Sequence, residues 1–239
     1  MKIAIIGYGK MGKAIEGIAK DRGHAISCII DENNHEDLEN ISPSNTDIAI
    51  EFSQPDSAFE NISKLLSNGV KVVAATTGWL SKYDEVVSLA KENNGTFLYA
   101  SNFSIGVNLF FKLNQWLARE MERLDGFKAS MTEVHHTEKK DAPSGTAITI
   151  AEKIIQNNSN YTTWVNENTD QPTKLGIESI REPNVPGKHT VLYKSPLETI
   201  EVKHTAHDRK VFAEGVVKVA EWVSGEQGVL TMNDFLNQE

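Results

Sequence analysis

The stretch from Glu133 to Ala147, EVHHTEKKDAPSGTA, gathers the imidazoles of His135 and His136, the ammonium groups of Lys139 and Lys140, the carboxylates of Glu133, Glu138 and Asp141, and the hydroxyls of Ser144 and Thr146. No packing requirement calls for that mixture. Imidazole and ammonium groups set close together can deliver a proton or steady a developing negative charge.

Such a connection has to be held by the elements on either side of it. Phe127 to Val134 alternates as a strand does and Ala147 to Ile155 has helical spacing, so the stretch joins a strand to a helix. Asp141 is placed to cap that helix, and Pro143 suits its first turn, where a missing N–H goes unneeded. The N–H groups of Ser144, Gly145 and Thr146 then point out of the helix, where an anion, most simply a carboxylate, would satisfy them. A plain capped, solvated loop would need Asp141 and little else. Neighbours on a strand face opposite ways, so His135 and His136 are poorly placed to share one ion. No Cys or HxxxH spacing nearby completes a ligand set, and no metal is expected.

At 239 residues the chain can hold a sizeable core in one large or two small domains, and two are expected. Lys and Arg number 24 against 33 Asp and Glu, a net charge of −9, which disfavours nucleic acid as a partner. A small anionic substrate remains compatible, because Lys139 and Lys140 make the loop locally basic. Cys28 is the one cysteine, so it has no disulfide partner in its own chain and suits a reducing compartment. The apolar run Ile3 to Ile6 is too short for a signal segment or a membrane span, and a soluble, cytoplasmic protein is expected.

Lys2 to Ile6, then Gly7-Tyr8-Gly9-Lys10-Met11-Gly12, then a helical pattern at Ala14, Ile15 and Ile18 read as strand, glycine turn and helix. In a dinucleotide fold Gly7 makes the tight turn, Gly9 lets a pyrophosphate approach the backbone, and Gly12 lets the helix pack on the strand. A second strand, Ala25 to Ile30, ends in Asp31, where an acid would bond the ribose hydroxyls. Glu32 follows it, so a 2′-phosphate would meet negative charge and NADH is favoured over NADPH; Lys10 and Lys13 could soften that preference. Further strands are read at Asp47 to Phe52, Val70 to Ala75 and Thr96 to Tyr99, alternating with helices, which implies a parallel sheet. Residues 33 to 46 read as a surface connection. Ile105 to Leu124 reads as a long helix with an apolar stripe at Leu109, Phe110, Leu113, Trp116, Leu117, Met121 and Leu124. Gln156 to Lys174 reads as a loop. Gly176 to Arg181, Lys188 to Tyr193 and Glu198 to His204 alternate as strands, which with the strand before His135 make a mainly antiparallel, four-stranded sheet. Phe212 to Val223 reads as a last helix, and Leu230 to Leu236 as a short tail. The expected fold is thus α/β: a Rossmann-type parallel-sheet domain (1–104 and 210–239) and an α+β domain (105–209).

The run His135-His136-x-x-Lys139-x-Asp141-Ala-Pro-Ser-Gly-Thr-Ala147 resembles the signature of the 4-hydroxy-tetrahydrodipicolinate (dihydrodipicolinate) reductase family. Ala75-Thr76-Thr77-Gly78 is similar to its Gly-Thr-Thr-Gly turn at the nicotinamide side, with Ala75 replacing the first glycine. Ala100-Ser101-Asn102-Phe103-Ser104 resembles its second cofactor-contacting segment. Arg181 to His189 and His204 to Gly215 match further family patterns, in which His204 and Arg209 lie near a crevice. The resemblance implies NAD(P)H-dependent reduction of a cyclic imine dicarboxylate in lysine and diaminopimelate biosynthesis, and a homotetramer. It also implies His135 and Lys139 as the catalytic pair, His136 on one substrate carboxylate, and Ser144, Gly145 and Thr146 on the other. Thr137 and Glu138 depart from the usual family residues, and the glycine loop is one residue shorter than in many relatives. The competing readings are an amino-acid dehydrogenase of the same plan, a pathway relative acting on another cyclic imine, and a non-catalytic NADH sensor.

Overall fold

The computed structural model describes residues 1–238. In chain order its elements begin with β1 (Lys2–Ile6), α1 (Lys10–Asp21), β2 (Ala25–Ile30), β3 (Ile48–Glu51), α2 (Pro55–Ser67), β4 (Lys71–Ala74), α3 (Tyr83–Glu92) and β5 (Phe97–Tyr99). They continue with α4 (Ile105–Glu122), β6 (Lys128–His135), α5 (Gly145–Gln156), β7 (Thr163–Val165), β8 (Lys174–Arg181), β9 (Gly187–Lys194) and β10 (Thr199–Ala206). The chain closes with α6 (Lys210–Gly225), β11 (Val229–Leu230) and α7 (Met232–Leu236). Two compact units result, Met1–Ser104 with Lys210–Glu239, and Ile105–Arg209.

The first unit is a wholly parallel sheet of order β11-β5-β4-β3-β1-β2. Its strands are runs of Ile, Val and Ala because helices cover both faces: Ile3, Ala4, Ile5 and Ile6 are all buried. Burying each isoleucine contributes about 2 kcal/mol. Ala4, Ile6, Ala49, Val72 and Ala74 pack on Ile62, Leu65 and Leu66 of α2 and on Val86 and Ala90 of α3. α1 and α6 pack together, and α6 lies on β3 and β4. The tail contributes β11 as a sixth strand, which its two residues were too few to announce. The stretch 33–46 holds a 3-10 turn over His35–Asn40, and Leu38 and Ile41 anchor it in the core.

The second unit is a sheet of order β10-β9-β6-β8-β7. The four expected strands are present, joined by β7 from the Asn- and Thr-rich stretch read as loop, where Trp164 packs against the core. β10 with β9 and β9 with β6 are antiparallel, whereas β6 with β8 and β8 with β7 are parallel, since α5 carries the chain back across the sheet. Phe110, Leu117 and Met121 of α4 and Ile150 and Ile154 of α5 fill the core over Met131, Ile177 and Val191. The remainder of the α4 stripe, Leu109, Leu113 and Trp116, with Leu124 beyond the helix, stays exposed.

α5 is capped later than the sequence suggests, although it begins two residues before Ala147. Its cap is Ser144, whose Oγ accepts from the Ala147 N–H at 3.2 Å, and Pro143 precedes the cap. Asp141 does not cap, because both of its carboxylate oxygens are taken by Lys139 Nζ at 2.8 Å.

Candidate active site

β6 alternates strictly, so Ala129, Met131, Glu133 and His135 are its buried face. The last two positions put a carboxylate and an imidazole where the first two put apolar side chains. Glu133 is fully buried. Its Oε1 accepts from the Ser144 N–H at 3.0 Å and from Arg181 Nη2 at 3.2 Å. Its Oε2 lies 3.1 Å from His135 Nδ1 and 4.0 Å from His189 Nε2. Burial pushes this carboxyl up, but the interactions with His135 and Ser144 outweigh it and hold the group well below the usual carboxylate range. His189, brought in by β9, is pushed down to about 3 by burial and then by neighbouring His135.

Arg181, the last residue of β8, ties the loop to this buried acid. Its Nε donates to the Lys139 carbonyl at 3.2 Å and its Nη2 to the Asp141 carbonyl at 2.5 Å. The Lys139 ammonium in turn holds Asp141's carboxyl below its ordinary value, and the Lys139 side chain remains 23% exposed. His136 sits between Glu138, 2.9 Å from Nδ1, and Arg209, whose Nη2 is 2.5 Å from Nε2. A guanidinium only donates, so Nε2 accepts and Nδ1 carries the proton. His204 on β10 is half-buried, its ring 6.1 Å from that of Phe110.

The second unit therefore brings His135, His136, Lys139, Gly145 and Thr146 to the end of β6 and the start of α5. Ser144 is 2% exposed, its N–H donates to Glu133, and it steadies the helix start from inside. Sequence reasoning assigned no role to Glu133 as a hub, and it met Arg181 and His189 only as members of a family pattern. Glu133 had a signal, an acid on the inward side of an alternating strand. His189 and Arg181 are neighbours only through strand pairing. Glu133, His135 and His189 also offer ligand-type atoms within 4.8 Å of one another, a set that local spacing hides. The Arg181 guanidinium on the same carboxylate already supplies its counter-charge and opposes a second cation there.

In the first unit the predicted residues lie at the carboxyl ends of the parallel strands. Gly7, Tyr8, Gly9, Asp31, Glu32, Phe52 and Ser53 line a cavity of about 570 Å³ beside the β1–β3 junction, where the strand order reverses. Gly7 has φ +96°, and a Cβ there would meet the Phe52 carbonyl at 2.3 Å; a Cβ on Gly12 would meet the Gly7 carbonyl at 2.2 Å. A Cβ on Gly9 would meet no protein atom within 4 Å, which fits the close approach of a dinucleotide phosphate to that backbone. Lys10 and Met11 open α1, and Lys13 Nζ lies 5.6 Å from the Tyr8 ring centroid. Asp31 faces the cavity with Oδ1 accepting from the Asn33 N–H at 2.8 Å. Ala75 and Thr76 are buried after β4, with Thr77 exposed; Ala100, Ser101, Asn102 and Phe103 follow β5. Below the cavity, Glu51 is fully buried and accepts from Ser53, which Asn61 and His35 extend as a hydrogen-bonded chain.

Family models described as dihydrodipicolinate reductase, N-terminus and C-terminus, match residues 1–103 and 106–236. A 4-hydroxy-tetrahydrodipicolinate reductase of Christiangramia forsetii is 44% identical over 99% of this chain and 98% of its own length. Another, of Methanoculleus marisnigri, is 40% identical over 80% of this chain and 75% of its own. The structure of a dipicolinate-bound dihydrodipicolinate reductase from Paenisporosarcina sp. TG-14 has a TM-score of 0.81 over 97% of both chains at 22% identity, a likeness of fold. With family models matching both of its halves and a relative 44% identical over 99% of its length, the chain belongs to the dihydrodipicolinate reductase family.

Proposed function

We propose that the chain reduces the cyclic imine formed when 4-hydroxy-tetrahydrodipicolinate loses water, giving tetrahydrodipicolinate, with NADH preferred over NADPH. The observation that carries this reading is the loop between β6 and α5, which brings His135, His136 with its partner Arg209, and Lys139 together between the end of that strand and the helix that opens at Gly145, in a chain of net charge −9. A doubly charged ring is the kind of ligand such a loop favours.

Bound reduced nicotinamide supplies a hydride to a ring carbon conjugated with the imine. The electron pair displaced from that double bond makes the neighbouring positions electron-rich, and a proton must follow. His135 and Lys139 deliver it and offset the charge. His136 and Arg209 take one carboxylate, and the first turn of α5 at Gly145 and Thr146 takes the other. Lys139 Nζ reaches substrate by sharing or leaving Asp141. Asp31 and Glu32 beside the cavity disfavour a 2′-phosphate, which supports the NADH preference. The reaction needs no metal, so chelation leaves turnover unchanged. A homotetramer and a cytoplasmic setting complete the proposal; among the described residues no helix is long and apolar enough to cross a membrane.

The decisive experiment follows NADH and NADPH oxidation with freshly made 4-hydroxy-tetrahydrodipicolinate, comparing the native chain with Lys139→Ala and His135→Ala. Each substitution should lower turnover on the order of 10²-fold or more with the fold intact. Undiminished turnover in both variants would reject these roles, and cofactor binding without any turnover would indicate a sensor.

A further inference from the structure

We infer that Glu133 is a positioning residue: it fixes which nitrogen of His135 carries the resting proton, and so which one is left to exchange a proton at the site. The inference rests on the reading of His135 as a proton-delivering group.

The two oxygens of Glu133 have separate duties. Oε1 receives two donors, the Ser144 N–H at 3.0 Å and Arg181 Nη2 at 3.2 Å. Oε2 lies 3.1 Å from His135 Nδ1, and neither of these two buried atoms has a partner in full hydrogen-bond geometry among the described residues. A carboxylate held ionised offers only lone pairs, so a proton on Nδ1 is the arrangement that satisfies both atoms, and it leaves Nε2 as the exchangeable nitrogen. When Nε2 gives up a proton, the ring returns to the neutral Nδ1–H form that Glu133 already holds. Room for that nitrogen is also set by sequence: a Cβ on Gly187 would come within 3.2 Å of His135 Nε2.

The asymmetry makes Glu133→Gln a sharp test. Arg181 and the Ser144 N–H require an acceptor, so the amide carbonyl must take the Oε1 place and the NH₂ group must fall opposite His135 Nδ1. Nδ1 then has to accept, and the neutral proton moves to Nε2. A ring in that state has no acceptor for an Nδ1 proton and is a poor acid at Nε2, although shape and hydrogen-bond count are nearly kept.

Long-range 1H–15N correlation spectra of the histidine-labelled full chain, with His135→Ala to assign the ring, should show the Nδ1–H form in the native protein and the Nε2–H form in Glu133→Gln. Turnover in the variant should fall on the order of 10²-fold, with the KM for substrate moving less than about 3-fold because the carboxylate-holding groups are untouched. An Nε2–H ring in the native protein, which needs no variant to be seen, overturns the inference, as does unchanged turnover in Glu133→Gln. Full activity in His135→Ala, with the native ring still Nδ1–H, would instead mean that the catalytic reading of His135 has failed.

Discussion

Arg181 Nη2 lies 2.5 Å from the carbonyl oxygen of Asp141, so the guanidinium at the end of one strand closes the loop that follows another. The same group reaches the Lys139 carbonyl through Nε and the buried Glu133 through Nη2, which makes the loop's position depend on a residue remote in the chain.

Arg181→Ala should therefore loosen the loop and leave a buried carboxylate short of its cation. Turnover should fall about 10- to 100-fold through misplacement of Lys139, and thermal unfolding should show a loss of about 2 kcal/mol. Arg181→Lys, which cannot span both carbonyls, should recover the charge but only part of the rate. Steady-state kinetics and calorimetry on the pair check this.

The glycine turn separates a folding role from a binding role. Gly7→Ala forces a side chain into a positive-φ position against the Phe52 carbonyl and should cost about 3 kcal/mol or more. Gly9→Ala meets no protein atom, so its melting temperature should stay near native while NADH affinity, read by fluorescence titration, drops. Equal losses of stability in the two variants would contradict this division.

His189 gives the fold a specific sensitivity to acid. The unfolded chain takes a proton here below about pH 6.5, but the fold does not until about pH 3, so acidification favours unfolding across that window. Between pH 6.5 and about pH 5 this group alone should remove about 2 kcal/mol. Glu51, whose carboxyl burial pushes up, works in the opposite direction, because its ionisation is favoured in the unfolded chain as pH rises. His189→Gln should flatten the acid limb of stability against pH in urea titrations, and a limb of unchanged slope would reject the assignment.

Gly187 faces His135 with little to spare. In Gly187→Ala the new methyl comes within 3.2 Å of Nε2 and the ring must give way by a few tenths of an ångström. Turnover should fall while NADH affinity stays constant, since the cofactor cavity is lined by residues of the other unit.

Local chemistry announced much of this protein. The β1 turn declares itself because three glycines at fixed spacing between an apolar run and a helical pattern have few alternatives, and Gly7 and Gly12 prove sterically obligatory. His135, Lys139, Gly145 and Thr146 stand close in the chain, so one loop was bound to bring them close in space. Alternation along 128–135 likewise carried Glu133 and His135 to the same face.

What only the tertiary structure decided is which partners those residues meet. Asp141 had the right type to cap α5, but a lysine two residues away competes for it, and Ser144 takes the cap through its Oγ while Glu133 holds its N–H. Arg181 and His189 reach the hub through pairing of β6 with β8 on one side and β9 on the other, a register no local pattern encodes. Strand periodicity determines which face a side chain takes; the company it finds there depends on long-range pairing, and at this site that pairing sets charge, proton position and the shape of the loop.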